Sequence, residues 1–136
     1  MGSGLASLIR LRRWNLDEER QRLAPLMRAL QELQEKLAGL DAEIDREREG
    51  AANDEVAFAY ASYAGRAMVR RAAAVDAIAR AEAAATAQRQ VVLLCHREMR
   101  SAELAEQARF EKLAREARRR EQIAVDELAL LTRDNG

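Results

Sequence analysis

The sequence predicts an all-α fold, two long helices forming an antiparallel coiled-coil hairpin, and three observations predict it. Leu16, Leu23, Leu30, Leu37 and Ile44 recur every seven positions, with Leu26, Leu33 and Leu40 three places after their predecessors. This is an a/d stripe on one long helix. The later half carries a second seven-residue series, Arg71, Ile78, Ala85, Val92 and Met99, with Ala74, Ala81 and Cys95 between and Gln88 as a polar exception. Run in opposite directions, the two series match: Leu16 with Met99, Leu23 with Val92, Leu30 with Ala85, Leu37 with Ile78, and Ile44 with Arg71. All but the last of these layers are apolar on both sides. Leucine then faces mostly alanine or a β-branched side chain, and large against small lets two helix backbones approach closely. A single helix cannot bury such a stripe and needs a partner of equal length. The same heptads would also fit a coiled coil of two separate chains.

Composition agrees with thin helical packing. The chain has 136 residues, of which 34% are charged and only 4% aromatic, with one proline and six glycines. That is the profile of long helices in a single coiled-coil domain spanning 1–136, with a thin aliphatic seam in place of a thick core. The formal net charge is zero, which argues against nucleic acid as a partner, because a basic excess is its usual electrostatic footprint. The single cysteine, Cys95, excludes an intramolecular disulfide and suits a reducing cytoplasm. No stretch approaches the length of a spanning helix. Arg10, Arg12 and Arg13 interrupt the only apolar run near the start, so no signal peptide is expected. These features place the chain in the cytoplasm.

The first helix is expected from about Leu5 to Glu49. Ile9 and Leu5 extend the seam backwards, Arg12 weakens it at a d-position, and Leu11 and Trp14 fall outside it at c and f. An outward Trp either lies over neighbouring arginine stems or contacts a partner. Pro25 removes a backbone hydrogen bond, yet the leucine register passes through it without a slip. A continuous but bent helix is expected, with Pro25 on the outer face. The rival is a break near Ala24, with Pro25 restarting the helix at its first position. Gly50 and Asn53 are the clearest breaker signals. Phe58, Tyr60 and Tyr63 cluster soon after, and the connection is expected over about 50–65. The second helix is expected from about Arg66 to Thr132. Helices of about 45 and 67 residues span about 70 and 100 Å. Paired as above, the second outruns the first after about Ala108, leaving Phe110, Leu113, Ile123, Val125, Leu128, Leu130 and Leu131 without a facing helix. Apolar residues so placed call for a partner.

No catalytic, cofactor or metal site is expected. Phosphate-cradling glycine motifs are missing. Cys95 and His96 are adjacent, so they point in different directions from a helix and do not form a chelating pair. Cys95 reads as a small seam residue and His96 as a flank residue. The many carboxylates read as a solvated face with pairs such as Glu18 with Arg22. Basic residues gather at Arg10, Arg12 and Arg13, and again at Arg115, Arg118, Arg119 and Arg120, both toward the open end of the hairpin. That end would suit an acidic protein surface, an anionic membrane or nucleic acid. The interspersed Glu111, Glu116 and Glu121 count against nucleic acid.

Leu8-Ile9-Arg10-Leu11-Arg12-Arg13-Trp14-Asn15-Leu16-Asp17-Glu18-Glu19-Arg20 resembles the opening of the FliJ family, small proteins of the bacterial flagellar type III export apparatus. Phe58-Ala59-Tyr60-Ala61-Ser62-Tyr63-Ala64, Ala67 to Arg71, Glu121-Gln122 and Asp126-Glu127-Leu128 are similar to members of the alphaproteobacterial type. Pro25 and the alanine-rich, lysine-poor second helix depart from the pattern. The resemblance implies a hairpin similar to the central stalk of rotary ATPases. It implies a cytoplasmic, non-enzymatic stalk, without cofactor and a monomer in isolation, held at the inner face of the cell membrane. The implied partners are the hexameric export ATPase, the cytoplasmic domain of the membrane export gate, and export chaperones. Virulence secretion systems contain analogous stalks, and a homotypic structural spacer is the alternative. Partner contacts are expected at Leu11, Arg12, Arg13, Trp14, Phe58, Tyr60, Tyr63, Arg118, Arg119 and Leu128.

Overall fold

The computed structural model describes residues 3–51 and 54–135. They form two helices, α1 (Ser3–Gly50, 48 residues) and α2 (Asp54–Asn135, 82 residues), and among the described residues there is no strand. The architecture is an all-α helical hairpin.

α1 runs through Pro25 without interruption, as expected, and the rival break near Ala24 does not occur. Leu23 and Leu26 are half-buried on the seam side, whereas Pro25 and Gln21 are exposed. The carbonyl that the Pro25 nitrogen cannot satisfy belongs to Gln21, an exposed residue. The seam holds the helix together across the defect.

The expected connection over 50–65 is corrected. α1 closes at Gly50, and the Ala51 amide donates to the Arg48 carbonyl at 3.3 Å. α2 already begins at Asp54, so Phe58, Tyr60 and Tyr63 lie on its opening turns. Ala52 and Asn53, the latter one of the two breaker signals, lie outside the described residues. After Asn53 the sequence holds neither proline nor a glycine pair, and the modest propensity cost of the aromatics does not stop a helix. Half-buried Tyr60, Tyr63 and Ala64 and buried Ala67 then give α2 a seam face from its start.

The chain divides into two compact units, Asp17–Leu94 and Met1–Leu16 with Cys95–Gly136. In the first, Leu30, Leu40, Ala67 and Ala85 are buried; in the second, Ile9, Leu16 and Ala102. Leu16 retains 2% and Ala85 0% of its surface. The large side chains come from α1 and the alanines from α2, as the sequence pattern requires. Leu30 and Ala85 are both covered within one chain.

The register differs from the expected one. Pairing Leu16 with Met99 would put Arg12 opposite Glu103, Asp41 opposite Ala74 and Glu19 opposite His96. Instead Arg12 bonds Glu98, Asp41 bonds Arg71, and Glu19 bonds Gln88. All three partners lie earlier on α2, by three to eight residues. An alignment of Leu16 with Cys95, which belong to the same unit, falls between the Arg12–Glu98 and Asp41–Arg71 contacts. In this alignment buried Ala102 meets buried Ile9, and Ala67 meets Ile44; in the expected one they would meet exposed Arg13 and Arg48. The physical reason is the geometry of antiparallel helices: Cβ vectors on the two chains point oppositely, so an a-position packs against a d-position of its partner and not against another a.

Candidate partner-binding surfaces

The polar residues that interrupt the seam find each other across it. Arg12 Nη1 donates to Glu98 Oε2 at 2.8 Å, with the two side chains 35% and 40% exposed. Arg71 Nε donates to Asp41 Oδ1 at 2.7 Å. This hydrogen bond and the charge of Asp41 raise the Arg71 pKa further above its ordinary value. Gln88 Nε2 donates to Glu19 Oε2 at 2.6 Å and to the Glu19 carbonyl at 3.0 Å. Residues that weaken the apolar stripe in the sequence thus become cross-helix pairs. On the outer surface Arg22 bonds Glu19 at 2.6 Å, not Glu18 as its spacing suggested, and Arg80 pairs with Asp76. Such exposed pairs contribute little stability.

The predicted contact residues fall into three groups. Leu11, Arg13 and Trp14 stand on the outside of α1, with Trp14 60% exposed. Arg12 differs from them: it is half-buried and committed to Glu98. A groove of about 420 Å³ lies beside it in the same unit, lined by Leu5, Leu8, Arg97, Ser101 and Ala105 among others.

The aromatic group is divided. Phe58 projects outward, 87% exposed. Tyr60 and Tyr63 are half-buried, with ring centroids 6.5 Å apart. The Tyr60 hydroxyl, and then Asp45, raise the pKa of Arg48. The Tyr63 hydroxyl oxygen is buried without a well-formed hydrogen bond among the described residues. Burial first, and the neighbouring Glu43 carboxylate second, push its pKa up. Tyr60 and Tyr63 therefore serve the helix pair, and Phe58 is the aromatic ring left open.

Arg118, Arg119 and Leu128 lie on the third surface. Arg109 is the last half-buried residue of α2, and every described residue from Phe110 onward is exposed. The expected unpaired stretch after Ala108 is present, carrying Phe110, Leu113, Ile123, Val125, Leu128, Leu130 and Leu131 in the open. Arg109 lies over the Phe110 ring at 5.7 Å. Arg115 to Arg120 lie on this continuation. Ser3, where α1 starts, aligns with about Ala108, so the second basic cluster begins roughly 10 Å further along α2 and does not merge with Arg10, Arg12 and Arg13. Cys95 is half-buried in the seam and His96 is exposed.

Sequence reasoning missed the cross-helix polar pairs. The signal was present, since Arg12, Arg71 and Gln88 were each visible as defects in the stripe. Pairing them requires the correct register, which heptad spacing alone does not fix. Among the described residues no group of three or more side chains could hold a metal ion, and no helix is long and apolar enough to cross a membrane.

A family model described as "Flagellar FliJ protein" matches residues 1–134. Neither the curated proteins nor the solved structures gave a match. The match covers α1 and all but the last residue of α2, and this chain belongs to the FliJ family, components of the flagellar protein export apparatus.

Proposed function

We propose that this chain is the stalk of the flagellar export ATPase: it fits the hexameric ring, and links it to the cytoplasmic domain of the export gate and to export chaperones. The observation that carries the reading is the family match over residues 1–134. The physical design supports it. The seam is closed within one chain at Leu16, Leu30 and Ala85, so the hairpin does not need a second copy to bury its leucines. It can act as a monomer that works by holding partners, without catalysis of its own.

The end carrying Leu11, Arg13 and Trp14, together with Arg118, Arg119 and Leu128 on the free part of α2, enters the ring. Trp14 is a large, rigid side chain left open to solvent, the type enriched at binding hot spots. The surface around Phe58, with Tyr60 and Tyr63 behind it, meets the gate or a chaperone. The molecule works in the cytoplasm at the inner face of the membrane.

The test is stimulation of the hexameric ATPase by the purified chain. Arg13→Ala with Trp14→Ala should lower stimulation about tenfold or more if Trp14 is a hot spot. Tyr60→Ala with Tyr63→Ala, and Phe58→Ala alone, should leave it unchanged. The reverse pattern would mean that the opposite end enters the ring. Absence of any stimulation by the unaltered chain would remove the stalk role.

A further inference from the structure

The part of α2 beyond the end of α1 carries an apolar face of its own. Phe110, Leu113, Ala117, Ala124, Leu128 and Leu131 are all exposed and fall within an arc of about 100° on a helix of 3.6 residues per turn. Cys95, Met99 and Ala102, half-buried or buried in the same unit, lie on this arc too, so the bare face continues the covered one. Its pattern reads the same from both ends. The steps forward from Phe110 are three and four residues, and so are the steps back from Leu131, with Arg120 and Glu121 between the two runs. Laid antiparallel on a second copy, the face puts Phe110 level with Leu131, Leu113 with Leu128, Ala117 with Ala124, and Arg120 with Glu121. Each level joins one residue from either side of the midline of the face, as antiparallel helices require. A parallel pairing would instead set Arg120 level with Arg120 and Glu121 with Glu121.

We propose that this face docks on a second copy of the chain, as a two-fold antiparallel pair through residues 110–131, about 32 Å of helix. A closed two-fold contact needs a patch complementary to itself, and the charges here meet that condition. Between 112 and 120 the chain has five basic residues and one acidic; between 121 and 134 it has four acidic and one basic. The antiparallel arrangement lays each basic half along the acidic half of the other copy, whereas a parallel one sets like against like. The face is short and its central levels are alanine, so the pair is weak, with a Kd between about 1 µM and 1 mM, and the dilute chain is single. Pairing covers Leu128, so a paired copy does not enter a ring by this stretch. The test uses this chain alone, and its failure would leave the stalk role untouched.

Light scattering of the full-length chain across that concentration range tests the proposal. The mass should rise from one chain to two and no further, because the contact closes on itself. Leu113→Ala with Leu128→Ala removes four leucines from the pair and should raise its Kd about tenfold or more. Ile123→Ala with Leu130→Ala, comparably exposed but outside the arc, should leave it unchanged. None of these side chains is buried in the single chain, so both variants should keep the helicity of the unaltered protein. Disulfides in the Cys95→Ala background read the direction. Chains carrying Ala117→Cys should cross-link to chains carrying Ala124→Cys when the two are mixed. Neither should cross-link alone: an antiparallel pair parts the two copies of residue 117 by about 10 Å along the helix, beyond the Cα separation of about 7 Å that a disulfide spans. A chain that stays single up to about 1 mM would overturn the proposal and leave the face to a different protein. So would a mass beyond two chains, equal weakening by both double substitutions, or cross-links within each variant alone and none between them.

Discussion

The seam between Asp17 and Leu94 and the end of α2 after Arg109 are written in the same alphabet of leucine, alanine, arginine and glutamate, yet one is packed and the other bare. In the first, Leu30, Leu40, Ala67 and Ala85 are buried. In the second, every described residue is exposed, although Leu128, Leu130 and Leu131 are as apolar as any seam residue. Helical sequence alone therefore does not bury anything in this molecule; a facing helix does. The bare stretch is held by local terms only, such as Gln107 to Glu111, Gln122 to Asp126, and the Thr132 hydroxyl to the Leu128 carbonyl at 2.8 Å. Each is worth a few tenths of a kcal/mol (about 0.2–0.5).

The largest test of this contrast is truncation of matching leucines. Leu16→Ala and Leu30→Ala each remove a buried side chain and leave a gap against a small partner, costing about 2–5 kcal/mol. The thinness of the seam favours the lower half of that range. Leu128→Ala and Leu131→Ala should stay within about 0.5 kcal/mol. Denaturant unfolding of the four variants checks this, and equal losses at both sites would show that the end of α2 is covered in solution. Next in size is overpacking. Ala85 has no free surface, so Ala85→Leu should cost about 1–3 kcal/mol, while Ala117→Leu, on the bare stretch, should be neutral.

Hydrogen exchange sharpens the contrast without mutation. Amides of the seam around Leu30 and Ala85 should open only with free energies near that of global unfolding, and those from Phe110 to Asn135 with free energies near zero. Protection of the bare stretch comparable with the seam would break the comparison. Addition of a true partner should raise protection there, and the segment that gains it would identify the contact.

Much of this arrangement was legible in the sequence. The leucine repeat predicted α1, the alanine-rich repeat predicted α2, and their unequal lengths predicted the bare stretch after Ala108. The continuity through Pro25 followed from a register that never slips. What sequence could not supply was alignment. A seven-residue period is satisfied by several relative displacements of the two helices, and matching a with a is a natural but wrong choice for antiparallel chains. With the alignment misplaced by one turn, Arg12, Arg71 and Gln88 read as isolated defects and not as partners of Glu98, Asp41 and Glu19. The connection was misjudged for a different reason. Phe58, Tyr60 and Tyr63 have weak helix propensity, and the packing of Tyr60 and Tyr63 against the end of α1 overrides it. Among the predicted contact residues, exposure separates Leu11, Arg13, Trp14, Phe58, Arg118, Arg119 and Leu128 from Arg12, Tyr60 and Tyr63, a division invisible without coordinates.

The cross-helix ion pair at the α1 start is a smaller lever. Arg12→Ala should cost about 0.2–1 kcal/mol at low salt and less at high salt, because both side chains are partly solvated. A double-mutant cycle with Glu98→Ala isolates the coupling. A coupling unaffected by salt would place the pair in a drier setting than its exposure indicates.

The smallest effect concerns Tyr63. Its hydroxyl oxygen is buried without a well-formed hydrogen bond among the described residues, beside Glu43 and Glu47, and its pKa is raised by burial and by those carboxylates. An unsatisfied buried hydroxyl contributes nothing that a phenyl ring would lack, so Tyr63→Phe should leave the midpoint of unfolding near pH 7 unchanged or slightly higher. A raised pKa means that the folded chain holds this proton more tightly than the unfolded chain. The associated stability is complete below the ordinary tyrosine value of about 10 and drains away as pH rises through the higher folded-state value. Thermal melts from pH 8 to 11 should therefore show a shallower alkaline decline for Tyr63→Phe than for the unaltered chain. A lower midpoint at pH 7 would instead mean that the hydroxyl is bonded, with Glu43 its acceptor.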